Sequence, residues 1–403
     1  MIAVIADDFT GAAEIGGIGI RFQMKVEIVT RVSIEPDTDL LIIVTDTRSK
    51  SAEEAINDIY LITCQLMKLK PELIYKKIDS VLRGHIIAEL LAQMKIMGKQ
   101  RALAVPANPH LGRVIKDGMY YLKDVRLHET GFRNDPEFVM SNSDTMRSSD
   151  VIDILRYNNS ADLERLNIIV AKTDVPFPAK GIIIGEALSS DDLRLWAKRV
   201  DDHTLIAGAS SFFLALLEHL QYPHREGAFE KSIAYSGGNM LLVCGSSFSK
   251  SKQMVAKVLA DGAPVSLMPS ALLHADGALL SGLQDQWASD IISLFATHNH
   301  VIVAADPEAN YPANELGRNI SKHIAKVVGK VMKRLPVQEL MLEGGSTASS
   351  ILNEMHLEKL YPQQELADGV IRTSVPGNAA LHITFKPGSY RWPESIWNSN
   401  LRK

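Results

Sequence analysis

The chain has 403 residues, of which 46% are apolar and 22% are charged. At about 100–200 residues per domain, this length predicts two or three domains, and the composition is typical of a globular protein. Collagen, coiled coil, intrinsic disorder and a disulfide scaffold are therefore excluded. The 43 basic and 47 acidic residues leave a net charge of −4, so the chain lacks the positive field that favours nucleic acid as a partner.

The cysteine content and the N-terminus point to an intracellular chain. Cys64 and Cys244 lie far apart inside apolar runs, with no Cys-x-x-Cys pair for zinc or redox chemistry. We expect both to be buried and inert. Asp7 and Asp8 come too early for a signal-peptide core, and no apolar stretch approaches the ~20 residues that span a bilayer. The prediction is a cytoplasmic location without a membrane partner.

Short apolar runs alternate with helical patterns through the first half of the chain. This alternation is typical of a parallel α/β sheet. Ser51 is the predicted N-cap of the second helix, because Glu53 and Glu54 follow it. The predicted strands are 2–6, 25–30, 40–45, 73–77, 101–106, 167–171, 181–184 and 204–207, and the predicted helices are 12–22, 51–69, 85–97 and one from about residue 210.

Residues 108–150 lose this alternation, and such a long irregular stretch inside a domain is usually a lid or binding loop. Residues 223–238 are polar and rich in glycine, which predicts a linker. A second α/β unit follows, with strands at 240–244, 264–267, 300–304, 339–342, 369–373 and 381–385 and a helix at 251–260. The fold class is therefore α/β, with domains at 1–222 and 239–403 whose largely parallel sheets face a central cleft.

Charged residues follow three strands of the first domain. In open α/β folds, ligands bind at the carboxyl ends of parallel strands, so we expect these side chains to share a site. Of Asp7 and Asp8 in ADDFTGA, one faces the ligand while the other caps the helix. The cations suit a carboxylate and the acids suit hydroxyl groups. The candidate substrate-binding residues are Asp7, Asp8, Arg48, Lys77, Asp79, Ser80 and Arg83.

A further polar stretch, PANPHLGR, follows the strand at 101–106. It carries Asn108, His110 and Arg113. Its polar residues and glycine fit a loop on the substrate side of the domain.

Small-residue turns follow three strands of the second domain, in CGSSFSKS, LEGGSTAS and FKPGSYRWP. Backbone amides and hydroxyls at a helix N-terminus form a phosphate-sized anion site. A P-loop motif and the G-x-G-x-x-G spacing are both absent, which excludes a P-loop enzyme and disfavours a nicotinamide site. Together the turns predict a nucleotide pocket.

In these residues the chain resembles the four-carbon acid sugar kinase family, the ATP-dependent kinases of threonate, erythronate and 3-oxo-tetronate. The motifs ADDFTGA, KKIDSVLRG, PANPHLGR, GSSFS and EGGSTA carry the likeness in the family's order. It implies an N-terminal substrate domain, in which Asp8, Arg48 and the 77–80 turn hold the sugar acid. It also implies a C-terminal ATP domain, whose contacts are Ser246, Gly344, Gly345, Ser346, Thr347 and Gly388.

Two departures fall on the nucleotide side. The family's last loop resembles K-[SA]-G-[NG]-F-G, whereas this chain has KPGSYR from Lys386. Ser346 also stands where an acidic residue is common in the family. The first three motifs keep the family pattern.

The hypothesis is phosphoryl transfer from ATP to the terminal hydroxyl of a four-carbon sugar acid, a reaction that depends on positioning and charge neutralisation. Arg48 and Lys77 clamp the substrate carboxylate, with support from Arg83. Asp8 or Asp79 accepts the hydroxyl proton, and Mg²⁺ bridges oxygens of the triphosphate. Closure of the domains expels water.

Two alternatives from other classes stay open. One is a non-catalytic sugar-acid-binding protein whose altered last loop has lost ATP. The other is a phosphatase acting on sugar-acid phosphates, although Thr10 stands where such enzymes carry a second acid. The identity of the sugar acid and the choice between a monomer and a homodimer also remain open.

Overall fold

The computed structural model describes residues 1–134, 147–158, 166–223, 238–245, 249–306, 316–393 and 396. The chain forms two compact units, Met1–Glu226 and Gly227–Lys403. Each unit contains helices and a largely parallel sheet, which confirms the predicted α/β class. Residues 224–237 of the predicted linker lie outside the described residues, so the domain boundaries stay a prediction.

The first unit alternates strands and helices through most of its length. Its elements are β1 Ile2–Ala6, α1 Phe9–Arg21, β2 Val26–Val29, β3 Leu40–Val44, α2 Ala52–Leu69, β4 Leu73–Lys77, α3 Ile86–Met97, β5 Arg101–Val105, β6 Arg113–Lys116, β7 Met119–Leu122, β8 Val125–Arg126, α4 Val151–Asn158, β9 Ile168–Ala171, β10 Gly181–Gly185, α5 Ser190–Ala197, β11 Thr204–Gly208 and α6 Ser210–His219. Ser51 caps α2 as predicted, in a capping box with Glu54.

The main sheet of this unit is parallel and has the strand order β2-β3-β1-β4-β11-β5-β10-β9. β1 and β3 are buried along their whole length, as expected for strands covered on both faces. Ala6 pairs with Val44 of β3 on one side and with Lys77 of β4 on the other. The segments that follow these three strands therefore emerge side by side at one edge of the sheet.

The prediction of an irregular stretch at 108–150 is wrong for much of its described part. β6, β7 and β8 form an antiparallel sheet, joined by the pairs Asp117-Gly118 and Lys123-Asp124. Three of these turn residues have φ between 49° and 66°, and Gly118 has φ 75°. Such pairs of left-handed residues make tight hairpin turns, and the Asp-Gly pair was the signal in the sequence. Residues 135–146 of the stretch lie outside the described residues.

The second unit also combines strands and helices, and its sheet is mixed. The unit's elements are β12 Met240–Cys244, α7 Ser249–Ala260, β13 Val265–Leu267, α8 Gly277–Leu294, β14 His300–Ala304, α9 Leu316–Arg334, β15 Glu339–Glu343, α10 Gly345–Glu354, β16 Lys359–Ala367, β17 Val370–Val375 and β18 Asn378–Lys386.

The strand order in the second unit is β13-β14-β12-β15-β18-β17-β16, and β17 runs antiparallel to both of its neighbours. The sequence analysis did not predict β16, which contains Pro362, a residue that is uncommon inside strands. None of the described helices is both long and apolar enough to cross a bilayer.

Both cysteines are free thiols. Cys244 is buried as predicted, but Cys64 is only half-buried. The prediction for Cys64 is wrong because its position on α2 lies at the margin of the buried face, next to Thr63.

A buried ion pair fastens α3 to the sheet of the first unit. Successive residues of a strand point to opposite faces. Lys76 meets Glu89 of α3 at 2.5 Å, and both side chains are almost fully buried. Lys77 on the other face is available for the site described below.

We expect Glu89→Ala to destabilise the first unit by about 3–5 kcal/mol, because it leaves the Lys76 ammonium buried without a counter-charge. The double variant Lys76→Met/Glu89→Leu should recover most of that loss. Hydrogen exchange of the β4 amides measures the effect within this unit. Equal protection in the wild type and Glu89→Ala would contradict the assignment.

Candidate functional site

Asp8 is the N-cap of α1, and it sets the start of that helix at Phe9 rather than at residue 12. Its Oδ1 accepts a hydrogen bond from the Gly11 amide at 2.7 Å, and its Oδ2 accepts one from Thr10 Oγ1 at 2.6 Å. Burial alone would raise the pKa of Asp8, but Arg48, Lys77 and these hydrogen bonds outweigh it and lower that pKa. Of the two adjacent acids, Asp8 caps the helix.

Arg48 joins three carboxylates at this edge of the sheet. It lies in the 3₁₀ turn Thr47–Ser49 after β3. Its Nε and Nη2 donate to Asp7 Oδ2 at 3.2 and 2.8 Å, and its Nη1 lies 3.3 Å from Asp8 Oδ2. Nη2 also lies 3.7 Å from Asp79 Oδ1. This buried guanidinium therefore neutralises acids of its own chain.

Asp79 is held in a strained turn after β4. Arg83 binds it in a two-pronged contact, with Nε to Oδ2 at 2.9 Å and Nη2 to Oδ1 at 2.8 Å. The amides of Val81 and Arg83 also donate to Oδ2. Burial opposes ionisation, yet Arg83 and Arg48 hold the pKa of Asp79 far below its usual range.

Within the same turn, Leu82 is buried and has φ 68°. This left-handed conformation is uncommon for a bulky residue and costs on the order of 1–3 kcal/mol. The contacts of Asp79 hold the turn in place. Strain of this kind clusters at functional sites.

Lys77 has more N–H donors than acceptors among the described residues. Its Nζ donates to the Ile78 carbonyl at 2.9 Å, whereas an ammonium has three donors. Lys77 is 4% exposed, and no carboxylate among the described residues forms an ion pair with it. A Cβ atom at Gly11 would lie 2.8 Å from Nζ and 2.7 Å from Asp8 Oδ1. Gly11 therefore leaves the space that Lys77 occupies.

Asp7 is the acid with an unused oxygen. Its Oδ2 takes both bonds from Arg48. Its Oδ1 is buried and has no hydrogen-bond partner in the described part of the chain. Burial and the neighbouring Asp8 raise the pKa of Asp7, although Arg48 opposes them.

The sequence did not predict a role for Tyr120 or Ser211 at this edge. Ser80 accepts a hydrogen bond from Arg113 Nη1 through its hydroxyl and one from Tyr120 through its carbonyl. Ser211, at the start of α6, donates to Asn108 Oδ1 at 2.6 Å. The signal for Ser211 was its position in a small-residue turn after a predicted strand.

The charged groups of this cluster do not cancel. Asp7, Asp8 and Asp79 contribute three negative charges, while the lysine and arginines contribute four positive charges (Lys77, Arg48, Arg83 and Arg113). These seven side chains therefore carry a summed charge of about +1 in a largely buried setting, where charge attracts an anion more strongly than in water.

In the second unit, three turns follow neighbouring parallel strands. Cys244 pairs with Glu343, and Glu343 pairs with Lys386, so β12, β15 and β18 end at the same level. Gly344 has φ 93° and precedes α10, which begins at Gly345. The predicted contact Ser246 lies outside the described residues.

The other predicted nucleotide residues lie in or beside these turns. Ser346 is exposed, whereas Thr347 is buried. A Cβ atom at Gly245 would overlap the Thr347 hydroxyl, so Gly245 lets the first two turns pack together. Gly388 is half-buried, and its carbonyl lies 3.5 Å from Ser251 Oγ.

Beneath these turns lies a buried polar cluster that the sequence did not predict. Glu343 contacts Lys386 at 3.3 Å and accepts from Trp392 Nε1 at 2.9 Å, and Ser251 also donates to it. Lys386 donates in addition to the carbonyls of Pro387 and Tyr390. Burial lowers the pKa of Lys386. This cluster anchors the divergent loop KPGSYR to the sheet.

A cavity of about 370 Å³ adjoins the buried cluster of the second unit. It combines aromatic, apolar and polar groups. Its lining residues are Ser251, Gln253, Met254, Glu343, Lys386, Tyr390, Arg391 and Trp392.

Two family models match the chain, each over most of one unit. Residues 2–216 match the sugar-binding N-terminal domain, and residues 241–390 match the nucleotide-binding C-terminal domain. The chain belongs to the four-carbon acid sugar kinase family. By that membership it is a carbohydrate-acid kinase.

Named relatives span nearly the whole chain. A D-threonate kinase from Salmonella typhimurium is 25% identical, over 90% of this chain and 88% of its own. A 3-oxo-tetronate kinase from Pseudomonas fluorescens is 24% identical, over 97% and 94%.

Solved structures share the fold at lower sequence identity. One is a Salmonella typhimurium protein with a TM-score of 0.70 and 17% identity, covering 97% of this chain and 96% of its own. Another, from Haemophilus influenzae, has a TM-score of 0.63 and 18% identity, covering 96% and 97%.

We expect Gly245→Ala to weaken binding of a non-hydrolysable ATP analogue at least about tenfold, which is 1.4 kcal/mol. The added methyl group displaces Thr347 and with it the start of α10. Calorimetry measures the affinity. Gly282→Ala is the matched control, because nothing lies within 4 Å of its added Cβ. Equal affinities of both variants would contradict a nucleotide site at this turn.

Proposed function

We propose that the chain transfers the γ-phosphoryl group of ATP to the terminal hydroxyl of a four-carbon sugar acid, such as threonate, erythronate or 3-oxo-tetronate. The observation that carries this proposal is the buried Lys77 ammonium. It keeps N–H donors for a ligand beside Asp7, Asp8 and Asp79 at the carboxyl ends of β1 and β4. A cation beside hydrogen-bonding carboxylates matches a ligand with one carboxylate and several hydroxyls.

On the substrate side, Lys77 takes the carboxylate of the sugar acid. Arg48 and Arg83 hold Asp7, Asp8 and Asp79 in place and act on the ligand through them. The sequence hypothesis gave Arg48 a direct clamp on the substrate, and its contacts with the acids favour a positioning role instead. The net charge of about +1 at this edge favours a monocarboxylate.

On the nucleotide side, the turn at Gly344 and the N-terminus of α10 would receive the phosphates. Backbone N–H groups at the start of a helix bind anionic oxygens. The left-handed Gly344 opens the turn in front of those groups, and Ser346 adds an exposed hydroxyl.

Mg²⁺ in this proposal enters with ATP. Magnesium usually keeps several waters and binds substrate phosphates together with one or two carboxylates. The residues that the structure describes include no group of three His, Cys, Asp or Glu side chains placed to hold a metal ion by themselves. A cytoplasmic location and the oligomeric state stay predictions.

A screen for ADP release tests the proposal. With Mg²⁺ and ATP, we expect turnover with at least one four-carbon aldonic or oxo acid and less with five- and six-carbon homologues. ATP binding without turnover of any acid would contradict the proposal. Failure to bind an ATP analogue would favour the sugar-acid-binding alternative. Phosphate release from a sugar-acid phosphate without ATP would favour the phosphatase.

We expect Lys77→Gln to raise the KM for the sugar acid at least about 25-fold, because loss of a buried charge partner costs on the order of 2–5 kcal/mol. The KM for ATP should stay within about twofold. Steady-state kinetics with each substrate varied in turn makes the comparison. An unchanged KM for the acid would show that its carboxylate binds elsewhere.

We expect Gly11→Ala to raise the same KM, since its methyl group would displace Lys77 and Asp8. Gly131→Ala is the matched control in the same unit, because its Cβ meets nothing within 4 Å. The control should behave as the wild type. Equal KM values for the two variants would argue against the assigned position of Lys77.

A further inference from the structure

Of the three acids at this edge of the first unit's sheet (Asp7, Asp8 and Asp79), two accept hydrogen bonds on both carboxylate oxygens. Asp8 binds Gly11, Thr10 and Arg48. Asp79 binds Arg83 with both oxygens and accepts two backbone amides besides. Each of these acids has both oxygens held by donors of its own chain.

Asp7 differs because only one of its oxygens is occupied. Arg48 binds Oδ2 through two N–H groups, and this fixes the position of that oxygen. Oδ1 is buried without a donor among the described residues. A buried acceptor without a donor is costly, and a bound ligand that brings a donor would remove that cost.

We propose that Asp7 is the general base of the reaction, with Oδ1 as the atom that accepts the proton of the substrate hydroxyl. This inference rests on the proposed kinase function. The hydroxyl first donates a hydrogen bond to Oδ1. Its oxygen then forms a bond to Pγ while the bond from Pγ to the β,γ-bridging oxygen breaks. ADP leaves, and the hydroxyl proton remains on Oδ1 until it passes to solvent.

The surrounding charges are consistent with this assignment. The charged groups that act on Asp7 are Arg48 from the turn after β3, Asp8 on its own segment and Lys77 from β4, with the smallest effect from Lys76 on the opposite face of β4. Burial, the largest influence, raises the pKa of Asp7, whereas the pKa values of Asp8 and Asp79 are lowered. Asp7 is thus the acid of the three with the greatest affinity for a proton. Since the base acts in its ionised form, kcat should fall as the pH drops through that raised pKa.

The test compares kcat of the wild type and three variants from the lowest pH at which each stays folded up to pH 9, at saturating Mg²⁺, ATP and sugar acid. We expect Asp7→Asn to lower kcat roughly 10²–10⁴-fold, to leave both KM values within a few-fold and to lose the acidic limb of the profile. Asp8→Asn should keep that limb, whatever it does to stability. Asp7→Glu preserves a charge for Arg48 but moves the oxygen, so its kcat should fall at least tenfold at a temperature at which the variant is still folded.

The Asp7→Glu variant keeps the inference testable if Asp7→Asn fails to fold. Wild-type kcat in Asp7→Glu, or an acidic limb retained in a folded Asp7→Asn, would overturn the role of Asp7. A shift in the Mg²⁺ requirement of Asp7→Asn with normal kcat at high Mg²⁺ would also overturn it, because Asp7 would then bind the metal. Absence of ADP release by the wild type would overturn the kinase proposal itself. Turnover by the wild type together with equal turnover by Asp7→Asn would overturn the role of Asp7 and leave the kinase proposal intact.

Discussion

The site of the first unit depends on one guanidinium that is shared by three buried carboxylates, with Arg83 as a second partner of Asp79. Asp7, Asp8 and Asp79 would repel one another at the end of β1 and β4, and desolvation would drive their protonation. Arg48 reaches all three from the neighbouring turn. Removing one charged partner from such a buried set lowers the free energy of unfolding by more than the intact set contributes to it, because the remaining charges are left uncompensated. The site is therefore preorganised by the chain before any ligand arrives.

The arginines and the lysine of this site have different roles. Arginine presents a rigid fork that suits carboxylates, and Arg48 and Arg83 use it on acids of the chain. Lysine is a compact charge with free rotation about its stem, and Lys77 keeps donors for a ligand. Gly11 in the first turn of α1 has no side chain, and this leaves room for Lys77. In the second unit, Lys386 is instead committed to Glu343 and to loop carbonyls, so it shapes a loop.

Much of this organisation could be predicted from the sequence because parallel strands end at one edge. The apolar runs of β1, β3 and β4 are unambiguous, and the polar turns after them had to converge. The sequence could not assign Asp7 and Asp8 to their roles, since adjacent residues with the same chemistry differ only in backbone geometry. The extended backbone at Asp8 decides that it caps the helix.

Other features depended on contacts between distant parts of the chain. Glu343 and Trp392 are separated in sequence, and nothing local indicates that the indole binds that carboxylate. The hairpin of β6 and β7 could have been predicted from the sequence, because Asp117-Gly118 is a strong local turn signal. The adjacent apolar residues Val114-Ile115 and the run Met119–Leu122 hid the alternation expected of half-buried strands.

The most direct test of the account is a crystal structure of the chain with its sugar acid and a non-hydrolysable ATP analogue. We expect the carboxylate of the acid on Lys77 Nζ and its terminal hydroxyl on Asp7 Oδ1, with the contacts between Arg48 and the three acids retained. A carboxylate bound to Arg48 in place of Asp7 or Asp8, or an acid bound away from the end of β1, would contradict it.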